Sequence, residues 1–127
     1  MLNTLSKRYP VVKTQLEHKN AFELLIATIL SAQCTDRQVN SVTRGLFARF
    51  PTPTKLARAP LEEIRTLIFS TGFYKNKANH IKNCARALVE NHGGEVPRDM
   101  ESLVSLPGVG RKTANVVRSV CFGAQAI

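Results

Sequence analysis

Nine residues, Leu106-Pro107-Gly108-Val109-Gly110-Arg111-Lys112-Thr113-Ala114, constrain this chain more than any other stretch, because they set a helix stop, a glycine-rich turn and a helix start in immediate succession. Gly108 and Gly110 are free to adopt positive φ and to let an anion approach the backbone. The N–H groups opening the next helix have no intrahelical acceptor and point outward. Such a helix-hairpin-helix clamps a nucleic-acid phosphate, with Gly108, Val109, Gly110 and Arg111 as its candidate contacts. The spacing does not match a Walker loop, and no dinucleotide-type glycine triplet follows a strand. Taken alone, the same nine residues also suit a simple turn between two packed helices.

The rest of the composition favours the phosphate. Eighteen Lys and Arg against nine Asp and Glu give a net charge of +9 over 127 residues, which selects a polyanionic partner over a neutral small molecule. A chain this long buries roughly two-thirds of its unfolded surface, enough for one core without disulfide staples. No apolar run is long enough to cross a membrane, and Met1 to Tyr9 lacks the apolar stretch of a signal peptide, so the cytoplasm is the expected location. Cys34, Cys84 and Cys121 are widely spaced, with no C-x-x-C pair, and read as buried reduced thiols rather than metal ligands. His18, His80 and His92 have no metal-site spacing either.

Apolar residues recur with helical period nearly throughout, so the expected fold is all-α, a helical bundle with no strand. Asn20 with Glu23 predicts the capped start of a helix carrying Phe22, Leu25, Ile26, Ile29 and Leu30, apolar on most sides and therefore central. Thr35 or Asp36 caps a second helix with Val39, Val42, Leu46 and Phe47 inward, and Pro51-Thr52-Pro53 stops it. Thr54 opens a short turn. Pro60 suits the first position of a helix bearing Ile64, Leu67 and Ile68. After a loop at Ser70 to Phe73, a long helix from about Tyr74 to Asn91 has Ala78, Ile81, Ala85 and Leu88 on one stripe, with Lys75, Lys82, Arg86 and Glu90 largely outside it. Gly93-Gly94 ends it. Asp99 caps a short helix leading into the hairpin, and the last helix turns Ala114, Val117 and Cys121 inward. One helical domain over 21–127 is expected, its hairpin at about 100–121, preceded by a lead segment over 1–20.

The hairpin, the segment from Leu25 to Asp36 (LIATILSAQCTD) and the segment from Gly72 to Ala78 (GFYKNKA) together resemble endonuclease III, a family of base-excision DNA glycosylases with AP-lyase activity. The resemblance runs in unbroken order from about Ala21 to Ile127. It implies the six-helix domain of that family, double-stranded DNA with damaged or abasic sites as partner, and a monomer when the protein is complete. It implies that Lys112 is the Schiff-base lysine, Gln33 the residue filling the space of an extruded nucleotide, and Phe73 an apolar wedge in the opposing strand. Lys75, Lys77 and Arg111 are candidate phosphate contacts. A lysine nucleophile must be a neutral amine. A helix N-terminus supplies only about 0.3–1 kcal/mol of the required destabilisation of its charged form, so desolvation and Arg111 are expected to supply the rest.

The resemblance also marks what this chain does not carry. Family members have an activating aspartate, in a Val-Asp-Thr-His segment after the second hairpin helix, and further on the cysteines of a 4Fe-4S cluster. Neither precedes Ile127, so no cofactor is expected in this chain, and a truncated, impaired enzyme is expected. The carboxylates present read as helix caps or surface groups, none an evident substitute. Two classes of function follow. One is a glycosylase on oxidised pyrimidines with lysine-dependent β-elimination, and the other is a non-catalytic DNA-binding hairpin module. An RNA-binding module is disfavoured by the scarcity of stacking aromatics beyond Phe73 and Tyr74. Without its partner domain the chain is expected to be marginally stable, with the end of the last helix, Val116 to Phe122, as its exposed apolar patch.

Overall fold

A computed structural model describes residues 14–123, and every regular element among them is helical. The first helix, α1 (Ala21–Leu30), starts where Asn20 turns extended and its Oδ1 accepts the N–H of Glu23 at 2.9 Å. Glu23 Oε1 in turn accepts the N–H of Lys19 at 3.0 Å. Every side chain from Phe22 to Leu30 is buried, because α1 is enclosed by three later helices.

Of the two caps open for α2 (Asp36–Arg49), the structure selects Thr35, whose Oγ1 accepts the N–H of Gln38 at 3.1 Å. Val39, Val42 and Leu46 face inward, and Phe47 meets Phe22 edge-on at 5.9 Å. The proline pair after α2 does more than stop it. Pro53 is the first residue of a new helix, α3 (Pro53–Ala57), capped by Thr52 rather than opened by Thr54, because a proline at that position lacks only an N–H that would be unpaired anyway. α4 (Leu61–Ile68) begins one residue later than expected, with Pro60 as its cap, and buries Ile64 and Ile68.

A 3-10 turn over Phe69–Thr71, then Gly72 at φ 75° and Phe73 at φ 47°, leads into α5 (Tyr74–His92). The α5 stripe of Ala78, Ile81, Ala85 and Leu88 is buried, and Gly93 ends the helix in the left-handed conformation while the N–H of Gly94 donates to Leu88 O at 2.8 Å. Lys82 departs from its expected solvent role. Its Nζ donates to Ala57 O at 2.9 Å and to Ala59 O at 2.6 Å, satisfying carbonyls at the end of α3 and fastening α3 to α5.

Asp99 caps α6 (Met100–Val104), its Oδ2 accepting the N–H of Ser102 at 2.9 Å, and that bond holds its carboxyl below the usual range. The last helix, α7 (Arg111–Phe122), ends at Gly123 with φ 69°. α1 touches α2, α5 and α7, while α3 and α4 pack on α5, α4 also meets α2, and α6 meets α7. The described part of the lead segment runs against α2. Leu16 is buried, Asn40 Oδ1 accepts the N–H of Glu17 at 2.8 Å, and Asn40 Nδ2 donates to Gln15 O at 2.9 Å. The absence of a signal stretch at Met1 to Tyr9 concerns residues outside those described, and no helix among the described residues is long and apolar enough to cross a membrane.

Two sequence expectations about apolar surface change. Cys84 is buried, but Cys34 and Cys121 are only half-buried, all three as free thiols. Val116, Val120, Cys121 and Phe122 pack against the core, and the Arg98 guanidinium lies 4.9 Å from the centre of the Phe122 ring, so the end of α7 is not the foremost exposed patch. Among the described residues the exposed large hydrophobic side chains are Phe69 and Phe73, at 62% and 64%.

The hairpin glycines are not equivalent. Gly108 has φ 80°, and a Cβ there would lie 2.8 Å from His80 Cβ. Gly110 has φ −97° and open space around it. Gly108→Ala is therefore expected to cost about 2 kcal/mol or more in denaturant unfolding, and Gly110→Ala to stay within about 1 kcal/mol. Equal costs at the two positions would contradict this geometry.

Candidate nucleic-acid interface and reaction cleft

The turn before α7 is built by its own backbone. The N–H of Leu106 donates to Leu103 O and that of Val109 to Leu106 O, both at 3.1 Å. Val109 therefore differs from its expected role: its N–H is engaged within the turn and its side chain is buried, so it shapes the hairpin rather than offering an amide to an anion. The expectation of positive φ at Gly110 is corrected as well. Gly110 is an extended cap with no side chain, and the first intrahelical bond runs from the N–H of Ala114 to its carbonyl at 3.0 Å. The N–H groups of Arg111, Lys112 and Thr113 thus have no intrahelical acceptor and no side-chain cap, at the positive end of the α7 dipole. Arg111 and Lys112 are both exposed.

Gly108, Lys112 and Thr113 form one wall of a cleft of about 520 Å³. The opposite wall comes from the end of α1 and the turn after it, through Thr28, Ser31, Ala32 and Gln33, with Asp36 at the start of α2. Gln33 is exposed and sits at φ 56°, a conformation that a non-glycine residue adopts at a cost of about 1–3 kcal/mol. Gln33 also lines a second depression of about 280 Å³ with Ile29, Phe73, Lys77, His80 and Gly108. The structure thereby brings Lys112, Gln33 and Phe73 onto two adjoining hollows that share Gln33 and Gly108. Gln33 and Phe73 are also the described non-glycine residues with positive φ. Holding two exposed side chains in a costly backbone geometry fixes where each points.

Lys75 is exposed at the second residue of α5, free to meet a phosphate. Lys77 is not. It is 4% exposed, its Nζ donates to Thr71 O at 2.8 Å, and burial pushes its ammonium pKa down while nearby Cys34 works the other way. Its candidate role as a phosphate contact is replaced by a structural one, tethering the turn that presents Phe73. Lys112 also departs from expectation in one respect, since the described residues leave it exposed and so do not supply the desolvation expected around it.

Sequence reasoning missed two cleft residues. Asp36 was readable only as a cap or first-turn acid, yet it lines the Lys112 cleft while its Oδ2 accepts the N–H of Gln15 at 3.1 Å. His80 lies against Gly108 and the Phe73 hollow. Its spacing of seven residues from Phe73, two helical turns, was the available signal.

The cysteines do not suit a 4Fe-4S cluster. Among the described residues no three His, Cys, Asp or Glu side chains are grouped to hold a metal, and burial pushes the Cys84 thiol up to about 12. A further cleft of about 410 Å³ is lined by Glu17, His18 and Arg44. There Arg44 Nε and Nη2 donate to Glu17 Oε1 and Oε2 at 2.9 and 2.6 Å, and the pair neutralises itself.

Residues 26–122 match the family described as HhH-GPD superfamily base excision DNA repair protein. The chain is 50% identical to endonuclease III of Bacillus subtilis (strain 168) over 126 residues, 99% of this chain and 58% of that protein. It is 45% identical to endonuclease III of Escherichia coli (strain K12) over 123 residues, 97% and 58% of the two chains. It thus spans less than two-thirds of the length of these relatives. In three dimensions it superposes on a trapped endonuclease III–DNA covalent intermediate, an estranged-adenine complex, with TM-score 0.86 and 52% identity, covering 96% of this chain and 57% of the other. It also superposes on a thermostable thymine-DNA glycosylase, with TM-score 0.79 and 28% identity, covering 84% and 49%. The chain belongs to the HhH-GPD superfamily of base excision DNA repair proteins.

Proposed function

We propose that this chain carries the DNA-binding hairpin and nucleophile of an endonuclease III-type enzyme, a glycosylase on oxidised pyrimidines with lysine-dependent β-elimination at abasic sites in double-stranded DNA. The observation that carries this reading is the cleft that Lys112, at the uncapped start of α7, shares with Gln33 in the turn after α1. Phosphates of the strand approach the N–H groups of Arg111 to Thr113, with Arg111 and Lys75 as cationic contacts. Phe73 enters the duplex as a wedge and Gln33 occupies the space left by the displaced nucleotide, offsetting part of the cost of unstacking. The relatives named endonuclease III, and the trapped protein–DNA covalent intermediate among the similar structures, support this assignment.

The chemistry at an abasic site needs only an amine and the open-chain aldehyde. The neutral Nζ of Lys112 adds to the aldehyde carbon, C1′, the carbinolamine loses water, and an imine joins protein and sugar. Loss of a C2′ proton then expels the 3′ phosphate. DNA seated over the cleft excludes water from Lys112, supplying desolvation that the exposed side chain lacks in the free protein.

Borohydride reduces the imine to a stable amine, so the chain is expected to be trapped on abasic-site DNA. Lys112→Ala should abolish the adduct while retaining salt-dependent binding. Undiminished trapping in that variant would assign the chemistry to another amine and leave this chain as a DNA-binding module. A second test separates the two lysines of the Phe73 segment. Lys75→Ala should reduce the slope of log K against log[salt] by about 0.9, the contribution of one neutralised phosphate. Lys77→Ala should leave the slope unchanged and lower stability by about 1–3 kcal/mol, because it removes the charged donor to Thr71 O. The reverse assignment of slope and stability would contradict the structure.

A further inference from the structure

Phe69 has no role in the reaction cleft, yet it is 62% exposed, and among the described residues the other large hydrophobic side chain as open to solvent is Phe73, four residues on. Its ring is not loose. The Phe69 and Tyr74 rings stand 4.8 Å apart at 54°, which supports Phe69 from one side and leaves the rest of the ring open. The turn beneath it is tied at three points. Gln38 Nε2 donates to Ser70 Oγ at 2.7 Å, Thr71 Oγ1 to Ile68 O at 2.8 Å, and buried Lys77 Nζ to Thr71 O at 2.8 Å. An exposed aromatic ring on a braced turn is preorganised to stack, and it gives up little conformational freedom on doing so.

We infer that Phe69, backed by Tyr74, is a stacking platform for one unpaired base of a DNA strand, beside the Phe73 wedge. The inference rests on the proposed reading that Phe73 enters a duplex. A wedge that separates bases leaves one without its stacking neighbour, and an aromatic face four residues away can receive it whatever its identity, since every base presents a π-face. The charges fit a strand passing this point: Lys75 follows Tyr74, Arg37 precedes the Gln38 that holds Ser70, and both cations are exposed. A protein partner suits the patch less well, because a stable interface buries about 1,200–2,000 Å² and the open rings here amount to two side chains.

The chain contains no tryptophan, so Phe69→Trp creates a single reporter at the platform. Two duplexes of one sequence are needed, one fully paired and one carrying a single unpaired adenine. The Trp emission should be quenched by the unpaired-adenine duplex and much less by the paired one. Phe69→Ala should weaken binding to the unpaired-adenine duplex about tenfold while changing the paired duplex by less than about twofold. Because Phe69 is largely outside the core, the unfolding transition of both variants should match that of the parent, which keeps a folding defect from imitating the result. Equal weakening on both duplexes would make Phe69 a general contact, and no weakening would make it a bystander. Either result overturns the platform. Loss of salt-dependent binding to both duplexes in the parent chain would instead overturn the proposed function, and the platform with it.

Discussion

Burial of α1 is the interaction on which the rest of the molecule depends. From Phe22 to Leu30 every side chain is buried, so the helix is enclosed by α2, α5 and α7. Each fully buried Leu or Ile of this segment contributes about 1.5–3 kcal/mol relative to exposure. The consequence for function is positional. The end of α1 emerges between the hairpin and the Phe73 turn, so its last residues and the turn after them become the shared wall of both hollows. Ile29 lies against Gly108, which couples the seating of the hairpin directly to the core.

On that frame the working parts are held by local devices, each with an identifiable physical cause. The hairpin needs glycine at 108, where His80 leaves no room for a Cβ, and at 110 it uses the lack of a side chain to leave amides unpartnered. Gln33 and Phe73 both line one hollow from left-handed backbone, stabilised by the structure around them rather than by their own preference. Lys77 and Lys82 direct their ammonium groups at backbone carbonyls, so two of the cations that make the chain basic act as fasteners. The cationic surface left open for an anion is consequently narrower than the net charge implies.

Much of this was legible from residue order. The caps at Asn20 and Asp99, the apolar run of α1, the stripe on α5 and the glycine stops at Gly93 and Gly123 are local signals, and the structure follows them. The hairpin was legible because its residue types have few other uses in that order. What could not be read depends on tertiary neighbours. A lysine with a long aliphatic stem gives no sequence sign of whether its amine meets water or a carbonyl, which is why Lys77 passed for a phosphate contact. Positive φ at Gln33 and Phe73 carries no signature, since side-chain-bearing residues rarely adopt it. Asp36 looked like an ordinary cap or first-turn acid until folding brought it to the cleft that Lys112 lines. Pro53 stops one helix and starts the next, and only the buried Leu56 that follows reveals the second role.

Under the proposed function the start of α7 and the turn after α1 form one surface that receives DNA. Amide hydrogen exchange on the chain, alone and with duplex DNA carrying a stable abasic-site analogue, tests it most directly. The N–H groups of Arg111, Lys112 and Thr113 lack intrahelical acceptors and should exchange fast in the free protein, then slow together with Gln33 when DNA binds. Binding that leaves those amides fast, or that slows exchange instead around the Glu17 and Arg44 cleft, would contradict the account.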